Sequence, residues 1–277
     1  GLLSAGGLGA IISPPVLGAA AFLIAEFLKI SYLDVLLMAV IPTVLFYLAL
    51  FLMVEIDARK YGMKDSTIAA VDTVWNLARR YWFHFLSLIS IVAFMMWGFS
   101  PVLSVFWATM VSLLTSLLRA DTALIPRDVF NSTTAMSTRW AQLPVVKALE
   151  AGSVGMLNVA TTCAGAGIIV GVVTLTGLGL KFSTIVVDYA AGSLLLTAIF
   201  SALVVWIVGL AVPVTASYII CAVIAAPALT KLGVPDFAAH MFIFYYAVLS
   251  EVSPPTALSP FAAAAITGGD PYKTTLQ

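Results

Sequence analysis

The chain has 277 residues, 62% of them hydrophobic and only 9% charged, and its formal net charge is zero. Soluble domains carry roughly 25% charged residues, so a soluble core of this size is excluded and lipid must cover the apolar surface. The absence of net positive charge argues against a nucleic-acid partner.

Taken in order, the chain begins apolar and glycine-rich from Gly1 to Ala10, with no Met or polar leader, and reads as a piece of a longer polypeptide. A bilayer core takes about 20 apolar residues per helix. The first such segment runs from Leu2 to Leu28 and is interrupted at Ser13-Pro14-Pro15. The second runs from Leu33 to Ile56, followed by a polar stretch from Asp57 to Arg80. Tyr81 to Gly98 and Pro101 to Leu118 flank the short Phe99-Ser100 turn and read as a tight helical hairpin. A polar stretch runs from Arg119 to Glu150, and its end, Trp140 to Leu149, reads as a short interfacial helix anchored by Trp140. A small-residue segment covers Gly152 to Leu180. One helix is expected from Phe182 to Gly209, then a break from Gly209 to Thr215 and a return from Ala216 to Leu232. Finally, Pro235 to Ser250 leads into Ser253-Pro254-Pro255, and Phe261 to Thr267 completes the last crossing.

Lys and Arg set the orientation. Arg59, Lys60, Lys64, Arg79 and Arg80 follow the second segment, and Arg119, Arg127, Arg139 and Lys147 follow the fourth. The positive-inside rule places both loops in the cytoplasm, and the hairpin between them supplies the even number of crossings this needs.

Two stretches carry the chemistry. Ile11-Ile12-Ser13-Pro14-Pro15-Val16-Leu17-Gly18 near the start matches Glu251-Val252-Ser253-Pro254-Pro255-Thr256-Ala257-Leu258 near the end. Each is apolar helix, Ser-Pro-Pro, then small residues and more helix. Two adjacent prolines remove two backbone donors and clash with the preceding turn, so the helix must open. In hydrocarbon each freed polar group costs several kcal/mol unless protein or water meets it. The charge count gives the two breaks opposite sense, provided that Phe182 to Leu232 enters and leaves from one side as a re-entrant hairpin. Inverted repeats whose broken helices meet at mid-membrane are a secondary-transporter signature, with opened carbonyls available to cations. Gly209, Pro213 and Thr215 mark the hairpin tip, which is expected to face the second Ser-Pro-Pro loop. Glu251, directly before that loop, is an acid at membrane depth; it could help hold a cation, carry a proton or brace the loop backbone.

With these motifs the sequence resembles the large membrane subunit of the TRAP (tripartite ATP-independent periplasmic) transporters, in the form where small and large subunits are fused. The likeness runs through Ser13-Pro14-Pro15-Val16-Leu17-Gly18-Ala19-Ala20-Ala21-Phe22 and Ala25-Glu26-Phe27-Leu28. It resumes from Ala164 to Gly177 and is densest from Gly209 to Gln277, including Ala226-Pro227-Ala228-Leu229 and Ala238-Ala239-His240. The tip departs from the family's usual Gly-Met-Gly-Leu-Pro-Thr-Thr at Ala211 and Val214.

The resemblance implies an all-α, polytopic protein of the bacterial or archaeal inner membrane, with inverted repeats, Pro-Pro-broken helices, a re-entrant hairpin and an elevator mechanism. It implies import of an organic acid or related solute, delivered by an extracytoplasmic solute-binding protein and driven by a cation gradient, sodium before protons, with no other cofactor. A small membrane subunit, or its fused equivalent, is an expected partner. The family's ion and substrate sites carry over to Ser13, Pro14 and Pro15, to Gly209, Pro213 and Thr215, and to Ser253, Pro254, Pro255 and Thr256. Of these, Ser253, Thr256, Gly209 and Thr215 are the sodium candidates. The hairpin that completes the first ion site is expected upstream of Gly1. The organisation expected is residues 1–58 as the end of a first repeat, 59–150 as basic loops and a helical hairpin, and 151–277 as a second repeat. A stand-alone dicarboxylate-type symporter is the alternative, and a channel a more distant one.

Other polar residues fit blander roles. Cys163 and Cys221 lie alone in apolar runs and read as packing residues. Asn158, Thr161 and Thr162 suit helix packing, and His240 a satisfied packing histidine. Two distant histidines make no HExxH site, and no nucleophile elbow, P-loop or dinucleotide fingerprint is present, so an enzyme is not expected.

Overall fold

Helices account for every regular element among the described residues. The computed structural model describes residues 2–62, 73–119, 122–125, 143–254 and 257–276. They form two compact units, Gly1–Met63 with Ala160–Gln277, and Lys64–Val159.

In the Lys64–Val159 unit, α4 (Val74–Tyr81) ends in Arg79 and Arg80 and passes through a short 3-10 turn into α5 (Phe85–Met96). The chain turns at Gly98, whose φ of +90° favours glycine, and α6 (Pro101–Ser116) packs back on α5. The turn is well specified. Ser100 caps α6 by accepting from the Leu103 amide at 3.3 Å, Pro101 takes the first helical position, and Phe94 stacks on Phe99. At its base the Arg80 and Arg119 guanidiniums lie 5.6 and 5.2 Å from the centre of the Tyr81 ring, within cation–π range.

The boundary between the units falls inside α7 (Pro144–Thr176), a single 33-residue helix. This corrects the short interfacial helix expected from Trp140 to Leu149. Residues 140–142 lie outside the described residues, and from Pro144 onward the helix does not stop. Proline is tolerated in a first turn, and no strong breaker follows until Gly177.

The larger unit begins with the first broken helix. α1 (Leu2–Ile12) and α2 (Ala19–Leu28) flank the first Ser-Pro-Pro, where the sequence requires the helix to open. α3 (Tyr32–Tyr61) follows, started by a capping box in which Ser31 and Asp34 satisfy each other's backbone amides. At 30 and 33 residues, α3 and α7 are long and apolar enough to cross a bilayer.

Beyond α7 the expectation needs three corrections. The small-residue segment ends at Thr176 rather than Leu180, because Gly177 turns the chain at φ +67° and α8 (Leu178–Tyr189) starts at once. The single helix expected from Phe182 to Gly209 is two. α8 stops at a turn through Ala191 and Gly192, both at positive φ, and Ser193 caps α9 (Leu194–Gly209). The return helix is also divided, into α10 (Val214–Ile224) and α11 (Ala226–Thr230), with Pro227 in the first turn of the second piece. α12 (Asp236–Val248) then leads through a 3-10 turn (Leu249–Glu251) to the second break and α13 (Leu258–Thr267). A last short helix, α14 (Pro271–Leu276), was not expected; Asp270 starts it by accepting from the amides of Tyr272 and Lys273.

The centre of this unit is α10, with Tyr218 and Cys221 fully buried. It packs on α2, α8, α9 and α12. Against α8 the fit is close: a Cβ on Gly179 would lie 2.8 Å from the Val223 carbonyl oxygen, and the buried Ser183 hydroxyl donates to the carbonyls of Gly179 and Ile224. Where lipid competes for apolar surface, burial between helices adds little free energy; close approach and interhelical hydrogen bonds specify the pairing instead. The Tyr218 hydroxyl and His240 Nδ1 form such a bond at 2.8 Å, with Phe27 from α2 against both rings.

Candidate transport site

The two broken helices pair crosswise. α1 packs on α13 and α2 packs on α12, so the first half of each meets the second half of the other. The α1–α13 contact is close, because the Ser259 hydroxyl donates to the Ser4 carbonyl and a Cβ on Gly7 would lie 2.8 Å from that same hydroxyl oxygen.

At the first break the opened backbone is met mostly from α3. Thr43 Oγ1 donates to the Ile12 carbonyl at 2.7 Å, and Tyr32 Oη donates to the Pro15 carbonyl at 3.4 Å. Ser13 Oγ donates to Tyr47 Oη at 3.2 Å. Locally, the amides of Leu17 and Gly18 return to the carbonyls of Ser13 and Ile11. Ser13, Pro14 and Pro15 are half-buried. Thr43 and Tyr47 lie one turn apart on α3, hydroxyl-bearing residues on one stripe of an apolar helix. That spacing was the available signal for the brace.

At the second break the neighbour is the α9–α10 hairpin. Gly209, buried at the end of α9, sits so near the 3-10 turn that a Cβ there would lie 3.2 Å from Ser250 Cβ. One turn earlier on α9, the Trp206 indole Nε1 donates to Ser253 Oγ at 3.0 Å. At the tip, Pro213 is exposed and precedes α10, Thr215 is half-buried in its first turn, and Ser217 Oγ donates to the Val212 carbonyl at 3.1 Å. Glu251, half-buried, ends the 3-10 turn and forms no ion pair among the described residues; Pro254 beyond it is exposed. Pro255 and Thr256 lie outside the described residues.

The structure therefore brings Gly209 and Ser253 into one neighbourhood through Ser250 and Trp206, while Ser13 and Pro15 are bound to α3. Trp206 was missed from the sequence. Only its position one turn before Gly209 hinted at it. Among the described residues no group of three or more His, Cys, Asp or Glu could hold a metal ion. Among the described residues, the oxygen groups gathered here are hydroxyls, backbone carbonyls and the Glu251 carboxylate.

Long apolar helices, two of them opened at Ser-Pro-Pro and a hairpin seated against one opening, define an all-α membrane transport component. Over residues 1–276 the chain matches the family described as the tripartite ATP-independent periplasmic transporter, DctM component, and it belongs to that family. It is thus a permease component of a TRAP transporter, a transport protein by family rather than an enzyme. No curated protein and no solved structure matches the chain.

Proposed function

We propose that this chain forms the moving ion and substrate site of a sodium-coupled importer of an organic acid or related solute in the bacterial or archaeal inner membrane. In this reading it works with a solute-binding protein that delivers the substrate and with a small membrane subunit or its fused equivalent. The observation that carries the proposal is the crosswise pairing of the broken helices, with the Gly209 tip against the turn before the second break. Crosswise pairing is what two broken helices of opposite sense produce, and it supports an inverted-repeat, multi-pass arrangement with α9–α10 as a re-entrant hairpin. Site residues in this reading are Gly209, Pro213 and Thr215 at the tip with Ser253, Pro254, Pro255 and Thr256 at the break. Ser13, Pro14 and Pro15 supply the opposite wall.

The test is uptake in proteoliposomes by the full permease, with its soluble receptor and an imposed sodium gradient. Ser253→Val should insert normally and lose most sodium-stimulated uptake. Sodium dependence left intact in that variant sinks the site assignment. Uptake that ignores the receptor would favour a stand-alone symporter, and passive conductance a channel. Glu251 supports a second reading, since a half-buried carboxylate with no ion pair among the described residues suits proton coupling. If Glu251→Gln abolishes uptake driven by a pH gradient while sodium is without effect, the coupling ion is the proton.

A further inference from the structure

We infer that Tyr218 and His240 form an acid-sensitive latch that holds α10 on α12 and releases it, slowing transport, when the imidazole takes up a proton. The inference needs only that the chain is a transport component, and it stands whichever ion drives uptake. Its place in the fold gives the pair that reach. Tyr218 is in α10, three residues after Thr215 of the hairpin tip, and His240 is in α12, which runs on to the second break. Phe27 of α2, beyond the first break, packs against both rings. One ring cluster thus joins the hairpin to both broken helices.

Burial fixes which way the hydrogen bond runs. Tyr218 is fully buried, and the 2.8 Å contact with His240 Nδ1 is the hydrogen bond its hydroxyl makes among the described residues. A buried O–H with no acceptor is costly, so the hydroxyl donates and Nδ1 accepts. The neutral imidazole then carries its hydrogen on Nε2. An imidazolium has a hydrogen on each nitrogen and accepts nothing. Proton uptake at Nδ1 therefore turns the acceptor into a donor, and the Tyr218 hydrogen is left enclosed with nothing to receive it. Stranding a buried donor costs roughly a factor of ten in an equilibrium. The latch is intact while the ring is neutral and is lost as pH falls.

The elements packed on α12 bring few other titratable groups. α2 has Glu26, exposed and paired with Lys29, and α10 has Cys221. α12 itself carries Asp236 one turn before His240, with Tyr245 and Tyr246 further along, and Glu251 lies in the 3-10 turn beyond. α1 and α9 carry none, and α11 ends at Lys231, which is bonded to Thr184. Among the described residues the Tyr218 hydroxyl is bonded to none of these, so none stands in for Nδ1.

The test uses the full permease at pH 8 and pH 5, the span in which histidine ordinarily changes charge. The pH is equal on both faces of the proteoliposome, so that no proton gradient drives uptake. Acid should lower the Tm of the purified wild type by about 3 °C beyond the change in His240→Asn, whose amide oxygen can accept in place of Nδ1 and stays uncharged. Tyr218→Phe, with no O–H to strand, should also lack the extra drop, and Glu251→Gln should keep it. Receptor-dependent uptake should fall roughly tenfold more in wild type than in His240→Asn, with the same receptor serving both. An equal drop in Tm in wild type, His240→Asn and Tyr218→Phe overturns the latch. So does its disappearance in Glu251→Gln, which would assign it to that carboxylate. Unequal drops in Tm with equal losses of uptake overturn its control of transport. If His240→Asn fails to fold, Tyr218→Phe carries the comparison in both readouts. Failure of the sodium-site reading in Ser253→Val leaves each of these outcomes as it is.

Discussion

The two Ser-Pro-Pro breaks share a sequence pattern and differ in what answers them. At the first, hydroxyls of Thr43 and Tyr32 cover the carbonyls of Ile12 and Pro15, and the Ser13 hydroxyl is engaged by Tyr47. All three partners stand on α3, which directly follows the broken helix in the chain. At the second, among the described residues, the α9–α10 hairpin lies alongside, with the Trp206 indole donating to Ser253 and Gly209 close against Ser250. The same pair of prolines thus frees the backbone twice, and in the first case side chains of one long helix satisfy much of what was freed. The pattern alone marks an opening. Whether the opening serves a ligand or is closed by protein depends on residues far away in sequence.

Substitutions can break or sharpen this contrast. The largest effect is expected at Gly209→Val. Its side chain must displace Ser250, and overpacking costs roughly 1–3 kcal/mol, so sodium-stimulated uptake should fall about tenfold or more while the protein still inserts. Uptake within twofold of wild type would show that the tip contact is dispensable. Thr43→Val comes next. It leaves the Ile12 carbonyl without its donor, a loss of about 0.6–2 kcal/mol given that hydrogen bonds in membranes are weaker than those in dry cores suggest. Here the Tm of the purified permease should drop while half-saturating sodium stays put. A sodium shift as large as that of Ser253→Val would erase the difference between the breaks. Tyr47→Phe should do least, since the Ser13 hydroxyl can turn to another acceptor; a Tm change within error and unaltered uptake are expected. A loss comparable to that of Thr43→Val would mean that the Ser13–Tyr47 bond belongs to the working site.

Much of this was legible before any coordinates. Consecutive prolines force a break wherever they sit, so both openings were readable. So was the α5–α6 hairpin, whose Ser100-Pro101 pair is a helix start in its own right. The turn at Gly192-Ser193 is equally written in the chain, but the apolar run around it hides it. Apolarity marks what lipid or protein covers and says little about where a helix stops. The small residues of α7 mislead in the opposite direction. The polar stretch ahead of them suggested a separate interfacial helix, yet Pro144 sits where a helix tolerates it and the chain runs on. The braces of the two breaks were beyond reach for another reason. Thr43 and Ile12 are 31 residues apart and Trp206 and Ser253 are 47 apart, and a single sequence names residue types without saying which of them touch.

The crosswise pairing has a consequence for how the protein is made. The hydroxyl that closes on Ser4 belongs to Ser259, 255 residues later. Ribosomes add roughly 5–20 residues per second, so on the order of 13–50 seconds separate the synthesis of these two partners. During that interval the face of α1 that carries Ser4 and Gly7 has no α13 to receive it. Its Gly9 flank, packed on Tyr47, and its Ile12 carbonyl, bound by Thr43, have partners made early on α3. The first broken helix is therefore inserted as half of an interface, and a helix made some 255 residues later completes it.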